Sequence, residues 1–525
     1  MRTWHEIEIN KYCDNALSKE QVWKHNYDWV PYNKGGDYRK WYGNNNNIIK
    51  FDQGSYFLLE NRGNHLPSRN LYFKKGVTYS LIGNTEFCAR AYNEGHVFDV
   101  GGSAFFPNEN TFNFLLGLVN SKIGSLLLSK LNPTVNFQVG DIKNIPIVKF
   151  ENIKNFVDDL VSENIAISSY EYKLYEENKD FVSDELLYSK INHSIEDTIE
   201  STLQFRIIKL RKLYNNESKL DLIFSQLYGV DKTSLNTQKK ISLFGTNIYS
   251  DIPDLLRLKG PWNKEIISNF LNYSVGCMFG RYSLDKEGLI LANQGETLQD
   301  YLLKVEKQES ELSFVPDDDN IIPVLDDEWF EDDIVGRFYA FLKASFGEQN
   351  FEKNLSFVEY SLGKDIRKYF VKDFYKDHIK RYKKRPIYWM FSSPKGSFNV
   401  LVYMHRYTPD TLNQVLNGYL NEYREKLKTR NETLDHLMIS GSPSEQNKAS
   451  KEKDKIQLVL LELQEYERET LYLLATERIS IDLDDGVLVN YNKFGDAIAA
   501  VAGLNDKKAK EKVKKFDWID TTMIR

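Results

Sequence analysis

The sequence predicts an α+β multidomain protein: a mixed-β N-terminal domain, a helical spacer, and a C-terminal α+β region with a long antiparallel helical hairpin. Three observations predict it. At 525 residues the chain is too long for one hydrophobic core. Its first third is rich in Gly, Asn, Tyr and Phe, with short extended runs. Beyond residue 150 the apolar spacing changes to a helical period.

In residues 1–150, "SYFLLEN" (55–61) and "VTYSLIG" (77–83) read as strands among long loops. One helix is expected where Leu115, Leu116, Val119, Ile123, Leu126 and Leu127 keep a three-to-four spacing, with "NPT" from Asn132 ending it. "VGDIKNIPIVKF" (139–150) reads as extended. In the spacer, 151–259, Ile195, Ile199, Leu203, Ile207, Leu210 and Leu213 form a stripe typical of ordinary core packing.

An α+β domain, 260–376, contains an acidic segment: twelve acidic residues meet one lysine between Glu306 and Asp333. A solvated surface is its expected state, ahead of a partner-binding or metal-binding strip, and it lacks the ligand spacing of an EF-hand. In the C-terminal domain, 377–525, the charge reverses, with eight Lys or Arg against one Asp from Lys376 to Tyr407. Lys383, Lys384, Arg385 and Lys395 there either form a phosphate-tracking strip or, the reading slightly preferred, solvate one edge of a domain with "PIYWMF" and "NVLVYM" as its core. The hairpin follows. Leu412 to Leu427 mark one arm, opened by Thr408 as cap and Pro409; "ISGSPSEQNKASKEKD" interrupts it; Ile456 to Leu474 mark the return. Each arm would be about 35 Å long.

Apolar residues make up 41% of the chain and aromatics 14%, which excludes wholesale disorder. A formal charge of −6 excludes a uniformly basic coat while leaving room for local basic faces. Cys13, Cys88 and Cys277 form no C-x-x-C pattern, so a disulfide or zinc framework is not expected. The start has no apolar signal segment and no run is long enough to span a bilayer, so a cytoplasmic location without membrane contact is expected.

The familiar phosphate-cradling, zincin and serine-hydrolase motifs are missing from the sequence, as is the Asn/Asp-Pro-Pro-Tyr/Phe tetrapeptide with which amino-group methyltransferases grip an exocyclic amine. No catalytic, cofactor or metal-binding residues are therefore nominated. His405, with no nucleophile or carboxylate partner in sequence, reads as a packed core histidine.

What remains is binding chemistry, concentrated in "PYNKGGDYRKWYGNNNN" (31–47). Gly35 and Gly36 permit a sharp turn, and Lys34, Arg39 and Lys40 are placed to meet phosphates. Trp41 and Tyr42 either brace the loop or contact sugars. Asn44, Asn45 and their two successors offer amides of the kind that read base edges. Arg62, Arg69, Lys74, Lys75 and Arg90 extend the positive character, and residues 1–150 hold 17 Lys or Arg against 13 Asp or Glu. The other reading of the same residues is a well-capped surface loop over core aromatics.

"KKRPIYWMFSSPKGSFNVLVYMHRYTPDTLNQVLNGYL" resembles the C-terminal region of the PglX-type adenine-specific DNA methyltransferases of BREX phage-defence systems. "VPYNKGGDYRKWYGN", "GVTYSLIGNTEFCARAYNEGHVFDVGGSAFFP" and "LLGLVNSKIGSLLLSKLNPTVNFQVGDIKNIPI" resemble the target-recognition segment of the same family, and "SIDLDDGVLVNYNKFGDAI" is also similar to it. The resemblance covers essentially the whole chain. It implies the C-terminal part of such an enzyme, with 1–150 as the target-recognition domain. The S-adenosylmethionine-binding catalytic domain and its cofactor would lie elsewhere.

The implied partners are double-stranded DNA, a methyltransferase catalytic domain upstream or in trans, and other BREX proteins. Three readings follow: a DNA-specificity and assembly portion, a protein-interaction scaffold without DNA binding, and a methyltransferase active by itself.

Overall fold

The structure, a computed structural model, describes residues 1–61, 66–81, 87–132, 134, 136–231, 240–249 and 258–525. The fold is α+β, as expected, with helices predominating over small sheets. By contacts the chain forms two units. The first comprises Met1–His5, Ile9–Ser189 and Asp197–Ile266, and the second Glu6–Glu8, Lys190–Glu196 and Ile267–Arg525.

In the first unit, β1 (Arg2–Thr3), β3 (Asn47–Lys50), β2 (Trp29–Asn33) and β6 (Val97–Phe98) lie in that order in one sheet. β2 and β3 are antiparallel, with Trp29 opposite Lys50, whereas β2 and β6 are parallel, with Tyr32 opposite Val97. β4 (Gly76–Tyr79) is the middle strand of a second sheet, between β5 (Ala89–Tyr92) and β7 (Ala104–Phe105). β8 (Lys240–Leu243) and β9 (Thr246–Tyr249) form a hairpin. An aromatic core of Phe51, Tyr56, Tyr72, Phe73 and Phe98 sits beneath the first sheet.

The stretch expected as a helical spacer holds two long helices, Lys154–Tyr172 and Ile195–Leu227. The stripe read from the sequence is interior: Ile199, Leu203, Leu210 and Leu213 are all buried.

Local chemistry corrects several elements of this unit. Residues 55–61 are not a strand but belong to a helix, Gln53–Asn61, because the Asp52 carboxylate caps its first turn, accepting from the Ser55 amide (3.0 Å) and hydroxyl (2.5 Å). The single helix expected at 115–127 is two, Phe112–Asn120 and Lys122–Leu131, bent by 74°. Ser121 makes the bend: its hydroxyl donates back to the Leu118 carbonyl (2.7 Å) and accepts from the Gly124 amide (3.1 Å). The segment expected to be extended at 139–150 starts with a helical turn, Val139–Lys143, in which Asp141 accepts from the Gln138 amide.

The second unit is built on β12 (Asn399–Tyr403), paired antiparallel with both β10 (Ile321–Pro323) and β11 (Tyr388–Ser392). Tyr388, Trp389, Phe391 and the Val400–Tyr403 run are wholly buried, which explains their unbroken apolar sequence. Phe270 meets Phe338, Phe341 and Phe346 of the Ile334–Phe346 helix, and Phe279 stacks on Tyr388 at 5.2 Å. His405 is a packed histidine, 1% exposed, its Nε2 3.1 Å from the Ile7 carbonyl.

The hairpin is present but longer and differently capped than expected. Its first arm starts at Thr411, whose hydroxyl accepts from the Thr408 amide, and runs on through a π-helical turn to Ser440. The sixteen-residue interruption reduces to Gly441 and Ser442. Pro443 in the first turn and a Ser442–Glu445 capping box restart a helix through Tyr466. Leu427, Leu434, Ile456 and Leu463 are buried along the arms.

The acidic segment is not simply solvated. Asp326, Asp327 and Glu328 are exposed, but Asp317 and Asp333 are buried. Asp333 caps the Ile334–Phe346 helix and holds Arg367 through two 2.9 Å bonds. No single helix among the described residues is long and apolar enough to cross a membrane.

Candidate nucleic-acid interface

The loop from Lys34 to Asn46 joins β2 to β3. Its backbone needs left-handed conformations at Gly35 (φ 81°), Trp41 (φ 70°), Gly43 (φ 118°) and Asn44 (φ 61°). A Cβ on Gly35 would lie 2.7 Å from the Gly101 carbonyl, so glycine is required by both space and torsion. Midway, the loop is stitched to β5: the Trp41 amide donates to the Ala89 carbonyl (3.0 Å) and the Ala91 amide to the Trp41 carbonyl (2.8 Å).

The side chains nominated from sequence are largely turned onto the spacer helices. Arg39 lies 2.5 Å from the Glu171 carboxylate, whose side chain is 1% exposed, and its guanidinium sits over the Tyr172 ring. Burial opposes the charge of Arg39, and the adjacent Glu171 more than offsets it, holding the pKa above its ordinary value. Both Glu217 oxygens are engaged, one accepting from the buried Trp41 Nε1 (2.8 Å) and one 3.3 Å from Lys40 Nζ. Tyr42 donates to Asp180 (2.5 Å), and burial, together with that carboxylate, pushes its phenol up.

The asparagines are similarly occupied. Asn44 donates to the Asp37 carbonyl (2.9 Å), and Asn45 is buried with its amide on the Tyr172 hydroxyl (3.1 Å). Beneath the loop, buried Arg90 donates to the Arg39 carbonyl (3.2 Å), and its burial lowers its pKa. At the tip, Lys34, Gly36 and Asp37 are exposed, and Lys34 is paired with Asp99 at 2.5 Å.

Outside the loop, Arg69 is partly exposed and pairs with Glu60. Lys75 is exposed over the Phe112 ring, and Lys74 is exposed without an ion pair among the described residues. Arg62 lies outside the described residues. Sequence reading passed over Arg211, Lys212 and Lys219, which are exposed on the Ile195–Leu227 helix, Lys212 lying 3.3 Å from the Glu163 carboxylate. Their three-, four- and seven-residue offsets from Ile208 and one another are the signal that would have found them.

Among the described residues no group of three or more His, Cys, Asp or Glu side chains is arranged to hold a metal ion. A pocket of about 260 Å³ in the second unit is lined by Glu296, Thr297, Asp318, Asp319, Arg406 and Thr411 among others. Its lining holds no aromatic ring.

The chain is 34% identical to the adenine-specific methyltransferase BrxX of Escherichia coli O9:H4 (strain HS), over 96% of this chain and 42% of that protein. It is 33% identical to the adenine-specific methyltransferase PglX of Lacticaseibacillus casei (strain Zhang), over 94% of this chain and 41% of that protein. The chain thus spans about two fifths of the length of these relatives. No protein-family model matches it.

Proposed function

From its similarity, along nearly its whole length, to about two fifths of two adenine-specific methyltransferases, BrxX and PglX, we propose that this chain is the DNA-recognition and assembly portion of a PglX-type enzyme, acting in BREX phage defence. The observation that carries the reading is the tethered 34–46 loop. Recognition loops work best when a rigid scaffold fixes their shape before the duplex arrives. Arg39, Lys40, Trp41, Tyr42 and Asn45 supply that rigidity, through Glu171, Glu217, Asp180 and Tyr172. Lys74, exposed, and Lys34 and Arg69, on exchanging the Asp99 and Glu60 carboxylates for phosphate, would meet the DNA backbone, and Asn44, on leaving the Asp37 carbonyl, would turn its amide toward bases. Arg62 is proposed with the cations on sequence grounds alone.

Methyl transfer then requires a catalytic domain, upstream or in trans, that binds S-adenosylmethionine. The test is a fluorescence-anisotropy titration of the chain with duplex DNA across a salt series, alone and with a PglX catalytic domain. Replacing Lys34 and Lys74 by Ala is expected to reduce the slope of log K against log salt by about two. No binding at low salt in either form would end the reading.

A scaffold reading is favoured by one observation. Leu458, Leu461, Tyr472 and Leu473, on the returning arm of the hairpin, are each at least half exposed. It predicts capture of other BREX proteins from nuclease-treated extract by a chain that binds no DNA.

A further inference from the structure

In the second unit, the nine residues Lys507 to Lys515 contain six lysines and one glutamate. The helix Lys507–Val513 forms here because Asp506 caps it, accepting from the Ala509 amide at 2.9 Å, and because Ala509 and Val513 repeat at four residues. That apolar edge is buried, Val513 against Val489 and Ile524. With the edge inward, Lys507, Lys508, Lys512, Lys514 and Lys515 are exposed. None of the six lysines makes an ion pair among the described residues.

The tertiary structure brings in a second basic segment. Lys384, in a left-handed turn (φ 63°), reaches Gly503, where an added Cβ would lie 3.1 Å from its Nζ. The Gly503 amide in turn donates to Asp506, so Lys384 stands at the start of the lysine helix. A third feature follows the helix: the Phe516 and Trp518 rings stack with centroids 5.3 Å apart and planes 17° apart, and Trp518 is 51% exposed.

Unpaired amines crowded along one short helix repel one another, over a Debye length of about 8 Å at physiological salt, until an anionic partner neutralises them. A carboxylate-rich protein face would satisfy the amines but make no use of the ring pair. Nucleic acid uses both, phosphates on the lysines and an unstacked base on the exposed indole. We propose that Lys384, the 507–515 lysines and Trp518 form a binding surface for single-stranded nucleic acid without sequence preference. The surface is independent of the recognition reading of the first unit.

The experiment is binding of the full chain to fluorescent oligothymidylate across a salt series, with thermal melts establishing that each variant is folded. Lys508→Ala/Lys512→Ala/Lys515→Ala should lower the salt slope by about two, and Trp518→Ala should weaken binding by roughly tenfold. Unchanged affinity and slope in both variants would overturn the proposal. So would polyglutamate competing as well as the oligonucleotide while Trp518→Ala has no effect, which marks a site for acidic polypeptide. Failure of the first-unit reading looks different: specific duplex binding is lost, while oligothymidylate binding persists and remains sensitive to these variants.

Discussion

Arg39 sets its guanidinium 2.5 Å from the carboxylate of Glu171, a residue 132 positions away in sequence and almost fully buried. Removing one partner of such a pair leaves a charge without water or counter-ion. Arg39→Ala is therefore expected to destabilise the first unit by about 3 kcal/mol. Adding Glu171→Gln, which removes the stranded charge while keeping an acceptor for the Phe244 amide, should recover part of the loss. Chemical denaturation checks both, and a stable Arg39→Ala protein that has lost only DNA affinity would contradict the bracing role.

Glu217 serves two donors at once, so its substitutions separate charge from hydrogen bonding. Glu217→Leu strands the buried Trp41 Nε1 and should cost about 1–3 kcal/mol, whereas Glu217→Gln retains an acceptor and should cost clearly less. Equal costs in melts of the two variants would show that the indole bond contributes little.

The bend between Phe112–Asn120 and Lys122–Leu131 depends on Gly124. A Cβ there would lie 2.2 Å from the Leu118 carbonyl oxygen, backbone against backbone. Gly124→Ala should destabilise the unit strongly despite the higher helix propensity of alanine. A neutral or raised melting temperature would mean the bend is free to relax.

A pH dependence is expected in the second unit. Tyr419 has one hydroxyl proton, yet its oxygen lies 2.8 Å from Asp319 and 2.7 Å from Asp332. Close by, burial raises the pKa of Asp317, Arg337 at 3.9 Å opposes the rise, and the neighbouring carboxylates of Asp319 and Asp332 reinforce it. A carboxyl raised in the folded state is most stabilising when protonated, and that contribution is lost as pH climbs from the ordinary carboxylate range through the raised value. Asp317→Asn, which keeps an acceptor for the Ile321 amide, should match the unmodified chain in acid and melt higher at neutral and alkaline pH. Parallel melting curves across pH would refute the shift.

The hairpin turn rests on Ser442. Its hydroxyl accepts from the Glu445 amide while Glu445 accepts from the Ser442 amide at 2.7 Å. Ser442→Ala should cost about 1 kcal/mol, felt as faster hydrogen exchange in the first turn after Pro443. Uniformly faster exchange along both arms would instead make the turn a nucleus for the whole hairpin.

Period and punctuation in the sequence were enough to determine the α+β class, the spacer stripe through Leu203, Leu210 and Leu213, the buried strands at 388–391 and 400–403, and the existence of the hairpin. Those signals are local: side chains spaced at two or three to four residues share a face whatever surrounds them. Caps were harder to read, because Asp52, Ser121 and Ser442 each act through a pair of short-range hydrogen bonds that override the apolar or polar character of neighbouring residues. The use made of Arg39, Lys40, Trp41 and Tyr42 was decided only by the tertiary structure. Their partners Glu171, Glu217 and Asp180 lie more than a hundred residues away, and a charge is committed inward or left to solvent only when folding brings its counter-charge within reach.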